Sequence, residues 1–295
     1  MRYFIQLSYD GSAYHGWQVQ ENSTSVQSMI EQGLKFKAGF EGRIVGCGRT
    51  DAGVHARQFF AHFDLDKNLN EIQLIELRHE LNHFLPQDIA IQKIFPVKEN
   101  AHTRFNAKSR TYKYYILQTK DPFNQSYAWS YQSALDLDKM NDAAKLLFDY
   151  EDFTSFSKLH TDVKTNNCKI TFANWIEEEG CLIFTITADR FLRNMVRAIV
   201  GTLIKVGKGA LTLDGFREVI ESKNRGIAGM SVPALGLFLH EIEYDWESVE
   251  GGKFEAGRQE TEDGRRETGD GGQKTEDRRQ KTEDGRWRTN ANKVK

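Results

Sequence analysis

Hydrophobic positions along the chain keep to two simple periods. Residues 3–9, "YFIQLSY", alternate apolar and polar side chains, which predicts a strand. From 25 to 37 the spacing turns helical: Val26, Met29, Ile30 and Leu34 share one face, with Thr24 and Gln27 at capping-box spacing. A strand near 58–65 follows, then a helix over 71–84 that starts after Asn70 and stops before Pro86. "DIAIQKIF" (88–95) predicts another strand. The order is β-α-β-β-α-β or close to it, a ferredoxin-like unit.

The theme then repeats. "TYKYYIL" (111–117) is a strand and "LDKMNDAAKLLF" (137–148) a helix, while "KITFANWIEEE" and "CLIFTITA" are strands joined by a Glu179-Gly180 turn. The most periodic helix spans 192–206, with Leu192, Met195, Val196, Ile199, Val200 and Leu203 forming one stripe. Arg193 and Arg197, one turn apart, border that stripe and can reach a cleft from a rigid support. "ALGLFLH" (234–240) reads as a core strand. The expected class is α+β, built from two ferredoxin-like (RRM-like) subdomains over 1–105 and 106–247.

From 248 the pattern changes. "TEDGRRE", "TGDGGQK", "TEDRRQK", "TEDGRWR" and "TNANKVK" succeed one another at a period of seven. The repeat offers no apolar seam for a coiled coil, so residues 248–295 are expected to be a disordered polar tail. That tail depresses the mean hydropathy of −0.60, while 39% hydrophobic and 12% aromatic residues describe an ordinary globular body. No stretch approaches the ~18–20 apolar residues of a membrane span, and the N-terminus reads as a strand, not a signal peptide. A cytoplasmic protein is expected. Cys47, Cys168 and Cys181 stand far apart without a C-x-x-C pair, which suits buried thiols and offers no metal framework.

A net charge of −2 argues against an indiscriminately basic nucleic-acid binder. Local charge says more. "HTRFNAKSRTYKY" (102–114) interleaves Arg104, Lys108, Arg110 and Lys113 with Phe105, Tyr112 and Tyr114, and 190–208 adds Arg190, Arg193, Arg197, Lys205 and Lys208. Phosphate contact and base stacking need that mixture, although either stretch alone also suits a solvated face. "GCGRTDAGVHA" (46–56) surrounds Asp51 with glycines at 46, 48 and 53, which allow another chain close approach. An Asx-type turn would use the same residues. A lone carboxylate is a poor kit for metal-dependent phosphoryl transfer or glycoside hydrolysis, which need several acids or a facing pair.

Five blocks, "YDGSAYHGWQVQ", "GRTDAGVHA", "RFNAKSRTYKYYI", "FLRNMVRAIVGTLIKVG" and "PALGLFL", together resemble the tRNA pseudouridine synthase A family over residues 1–245. The resemblance implies the pseudouridine synthase fold, with sheets forming a central cleft. It further implies isomerisation of uridine to pseudouridine at positions 38, 39 and 40 of the tRNA anticodon stem-loop, without cofactor or metal. Asp51 corresponds to the family's catalytic aspartate, Tyr112 to its active-site tyrosine and Arg197 to the arginine that pairs with the aspartate. Arg49, Arg110 and Arg193 are candidates for substrate contact, and Leu237 for packing on the base. A homodimer gripping one tRNA is implied as well. The alternatives are a non-catalytic RNA-binding protein of paired RRM-like units, which would give Asp51 no purpose, and an Asp-dependent hydrolase, which would need a second acid or a metal.

Overall fold

The computed structural model describes residues 1–158 and 165–250. β1 (Arg2–Tyr9) is the alternating first strand and leads through a loop to α1 (Val26–Ala38). Here Ser25, not Thr24, caps the helix: its Oγ accepts from Ser28 N, and Ser28 Oγ accepts from Ser25 N, both at 3.2 Å. Thr24 instead turns its carbonyl to the N–H of His15 (3.0 Å), inside the preceding loop. β2 (Val45–Gly46), β3 (His55–Asp64), α2 (Glu71–Phe84) and β4 (Ile89–Val97) complete the first half. α2 carries the Asn70–Gln73 capping box, two reciprocal 3.0 Å bonds that satisfy backbone donors at the helix start.

The second half contains β5 (Ala107–Leu117), β6 (Trp129–Ser130), α3 (Leu137–Leu146), β7 (Ile170–Glu178), β8 (Cys181–Ala188), α4 (Met195–Gly207), α5 (Leu213–Glu221) and β9 (Leu237–Tyr244). Glu179 and Gly180 turn the β7–β8 hairpin at φ 50° and 76°, the left-handed pair that a two-residue turn requires. α4 starts three residues later than its apolar stripe, because Asn194 at φ 65° ends the preceding loop. α5 was not expected. Its signals are a Thr212 cap accepting from Gly215 N (3.0 Å) and a buried face of Phe216, Val219 and Ile220.

The nine strands of the described residues belong to one sheet, in the order β4-β1-β3-β9-β5-β8-β7, with β2 on β3 and β6 on β5. The expected α+β class holds, and the strands of the two halves meet in one central sheet. β2 covers β3 only at Ala61 and His62, which leaves the other end of that edge open. β9 fills it in parallel, through His55↔Phe238 and Ala56↔Leu239, while its opposite edge pairs antiparallel with β5. Burying an exposed strand edge removes unpaired backbone groups, and here it fuses the halves. Tyr112 packs against both hydrophobic cores, next to that seam.

The described chain stays packed beyond residue 247. α6 (Trp246–Val249) buries Val249 completely, Lys98 N donates to Val249 O (3.0 Å), and Val97 bridges Glu250. Of residues 248–250, assigned from sequence to the tail, Val249 is buried and Glu250 pairs with the last residue of β4. The seven-residue repeat lies outside the described residues. Cys47 and Cys168 are buried and Cys181 is half-buried, all with free thiols.

Candidate active site

The loop between β2 and β3 holds Asp51, and the first sequence block supports it from below. Trp17 N donates to Thr50 O (3.3 Å) and Gly53 N to Tyr14 O (3.3 Å), while buried Thr50 shares a 2.9 Å bond with the Tyr9 hydroxyl. Contact is so close that a Cβ on Gly16, which already sits at φ 87°, would lie 2.4 Å from Thr50 O. A Cβ on Gly11 would lie 2.1 Å from Val54 O. The glycines of "YDGSAYHG" are thus required by the neighbouring loop, a reason that the sequence reading did not find.

His55 ties three blocks together. Gly11 N–H donates to its Nδ1 (3.1 Å), so the proton belongs on Nε2, 3.1 Å from Leu235 O. Burial lowers the pKa of the ring and favours this neutral form, although Asp10 Oδ1, 3.0 Å from Nδ1, pulls the other way. Burial also works against the Asp10 carboxylate, yet hydrogen bonds from Ser12 and Tyr127 hold its pKa below the usual value. His55 is a positioning residue that the sequence reading left without a role. Its place two residues past Gly53, where strand and loop meet, was the available signal.

Asp51 faces two guanidinium groups. Arg193 Nε lies 4.0 Å from Oδ1 and Arg197 Nη1 lies 3.8 Å from Oδ2. These distances give Coulombic pairing without a hydrogen bond, so the carboxylate oxygens remain open to a substrate. Arg197 is braced by Nε, which donates to Val232 O at 2.7 Å. Segment 225–232 is braced within itself, Arg225 donating to Gly229 O (3.0 Å) and Ser231 Oγ (2.9 Å), and is strapped to α4 by Gly229 N donating to Thr202 Oγ1 (2.8 Å). Arg193 precedes α4 and reaches Asp51 from the loop, not from the helix.

Tyr112 sits on β5 opposite Leu239, with Phe191 edge-on at 5.1 Å. Burial raises its hydroxyl pKa well above the ordinary value, and the charge of nearby Asp51 adds to the rise, so it is a neutral phenol at pH 7. Burial likewise pushes the Cys47 thiol up to about 12, which excludes a thiolate four residues before Asp51 as the reacting group. Leu237 is buried with Val54 where β9 begins. Gly236 before it is squeezed against Tyr115 O and the Tyr114 ring, at 2.7 and 3.0 Å from an added Cβ.

Arg49 is exposed at the loop tip. Arg110, by contrast, spends its donors on backbone carbonyls: Nη1 on Ala107 and Asp189 (3.0 and 2.7 Å), Nη2 on Cys47 and Arg104 (3.2 and 2.6 Å). It staples three segments around Asp51, and its charge remains in the neighbourhood. Among the described residues no group of three or more His, Cys, Asp or Glu side chains could hold a metal ion.

With that geometry in view, comparison with known proteins is decisive. A tRNA pseudouridine synthase family model matches residues 143–245. tRNA pseudouridine synthase A of Parabacteroides distasonis is 56% identical over 246 residues, 83% of this chain and 97% of the relative. The chain belongs to the tRNA pseudouridine synthase A family. The Bacteroides fragilis member is 53% identical over 84% of this chain and 98% of its own, and that of Clostridium acetobutylicum 38% over 81% and 98%. As a member of this family, the enzyme is an isomerase that converts tRNA uridine to pseudouridine. The family's named relatives match the part that carries Asp51, Tyr112, Arg193 and Arg197 together.

Proposed function

We propose that the enzyme modifies uridines 38, 39 and 40 of the tRNA anticodon stem-loop, with Asp51 as nucleophile. The observation that carries this reading is a carboxylate in a Gly-rich loop, faced by Arg193 and Arg197 and free of hydrogen bonds among the described residues. Extrusion of the target base costs a few kcal/mol, and a pocket must then retain the freed uracil. Asp51 attacks C1′ as the C1′–N1 bond breaks, the uracil turns, and C5 then bonds to C1′ as the Asp51–C1′ bond breaks and frees the carboxylate. The C5 proton leaves to solvent and N1 takes up a proton, so the product is an isomer and nothing is oxidised.

Arg197 aims the carboxylate, Tyr112 stacks on the uracil and assists loss of the C5 proton, and Leu237 packs against the base. Arg49, Arg193 and Arg110 supply positive charge toward RNA phosphates, Arg110 while also fixing the loops. Three target positions in different sequence contexts favour recognition of shape and backbone over base identity. The strand orders β4-β1-β3 and β9-β5-β8-β7 support reading each half as ferredoxin-like around a shared site. A symmetric dimer in the cytoplasm, combining two basic surfaces on one tRNA, fits a chain with net charge −2.

Tritium release tests the reading. With tRNA lacking pseudouridine and labelled at uridine C5, the enzyme should release label in proportion to pseudouridine formed at 38–40. Release confined to other positions, or absent, would overturn the assignment.

A further inference from the structure

Phe105, two residues before β5, leaves 77% of its side chain in solvent, whereas most large aromatic rings of the body are buried. Its perch is firmly held. Buried Thr103 donates from Oγ1 to Val45 O at 2.9 Å, and His102 and Asn106 exchange two bonds, His102 N to Oδ1 (2.6 Å) and Asn106 N to His102 O (3.0 Å). Arg104 N donates to His102 Nδ1 (3.1 Å), which fixes an imidazole whose centroid lies 4.2 Å from the Phe105 ring. The phenyl ring is therefore backed on one side and presented to solvent.

The surroundings are positive. The Arg104 guanidinium lies 5.9 Å from the Phe105 centroid, and burial together with Arg49, Arg190 and Arg110 lowers its pKa. Among the described residues, the ion pairs reach no carboxylate from Arg49, Arg104 or Arg190. Arg110 binds Arg104 O and Cys47 O with one nitrogen, so the perch is tied to the strand leading to Asp51.

We propose that Phe105 is a stacking platform for an unpaired nucleobase of the bound RNA, beside the uridine delivered to Asp51, while Arg49, Arg104 and Arg190 hold the adjoining phosphates. The proposal rests on the role assigned to Asp51. Single-stranded RNA brings both things this surface lacks, a π-face for the ring and anions for the arginines. A protein partner would have to supply an aromatic or apolar group ringed by carboxylates.

The test compares full-length wild type with Phe105→Ala, Phe105→Leu and Phe105→Tyr, using an unmodified tRNA transcript as probe. Loss of base stacking should raise Kd and KM roughly tenfold for Ala and Leu, with a much smaller change in kcat, while Tyr stays within about twofold of wild type. Thermal melting should not move. Wild-type affinity in Phe105→Leu would overturn the proposal, since the ring face would then be unnecessary. A changed sedimentation coefficient of RNA-free Phe105→Ala would overturn it in favour of a protein contact. If wild type binds tRNA tightly yet releases no tritium, the isomerase reading of this site falls, while the Kd series still decides whether Phe105 stacks.

Discussion

At the scale of single residues, chemistry and binding should separate at Asp51. Its carboxylate has no structural hydrogen bond among the described residues, so Asp51→Asn should fold normally and lower tritium release by at least about three orders of magnitude. Affinity for tRNA should hold or improve, because a negative charge near the phosphates is gone. Turnover within about tenfold of wild type would show that Asp51 is not the nucleophile. His62 carries a different prediction. Burial, aided by Arg2 and His102, lowers its pKa to about 4, so the ring is held neutral. Between the ordinary histidine value and about 4 the unfolded chain binds a proton that the folded one refuses, so stability falls as the pH drops through that window. Denaturant titrations should give wild type up to about 1.4 kcal/mol of loss per pH unit beyond that of His62→Gln. Identical pH slopes would rule His62 out.

Elements show what a sequence can and cannot convey. Local rules placed α2 correctly, because Asn70 and Pro86 act at the helix's immediate flanks. Asp51, Tyr112 and Arg197 were singled out by the resemblance of their motifs and Arg193 by its place beside the apolar stripe, and the fold brings the four close together. The β3–β9 seam was not legible, since pairing His55 with Phe238 depends on which edge β2 leaves open, and periodicity carries no such information. Nor did composition reveal that Arg110 is consumed by carbonyls from four residues. The crossing of α4 with segment 229–232 is equally hidden, and it is tight: a Cβ on Gly201 would lie 1.8 Å from Met230 O. Gly201→Ala should cost about 1–3 kcal/mol through overpacking. Because Val232 O on that segment braces Arg197, activity measured well below the melting temperature should fall as well. Full activity in a destabilised Gly201→Ala would show that the strap serves stability alone.

For the molecule as a whole, one continuous sheet makes the end of the body a structural member. β9 is the last strand of the described residues yet lies between β3 and β5, and the short α6 behind it returns the chain to β4. There Val249 is buried, Lys98 N reaches Val249 O (3.0 Å), and Lys98 Nζ reaches Glu247 O and Ser248 O (2.8 and 3.1 Å). The composition break near 248 thus marks where polar sequence starts, while the described packing runs on to Glu250. Two truncations distinguish the boundaries. A chain ending at Glu247 loses Val249, whose burial contributes about 2 kcal/mol, and should melt roughly 4–8 °C below a chain ending at Glu250. The deficit should persist in Val249→Ala of the longer chain, at a smaller size, because the backbone bonds to Lys98 remain. Equal melting of the two truncated chains would place the boundary at 247 and make the α6–β4 contact energetically neutral.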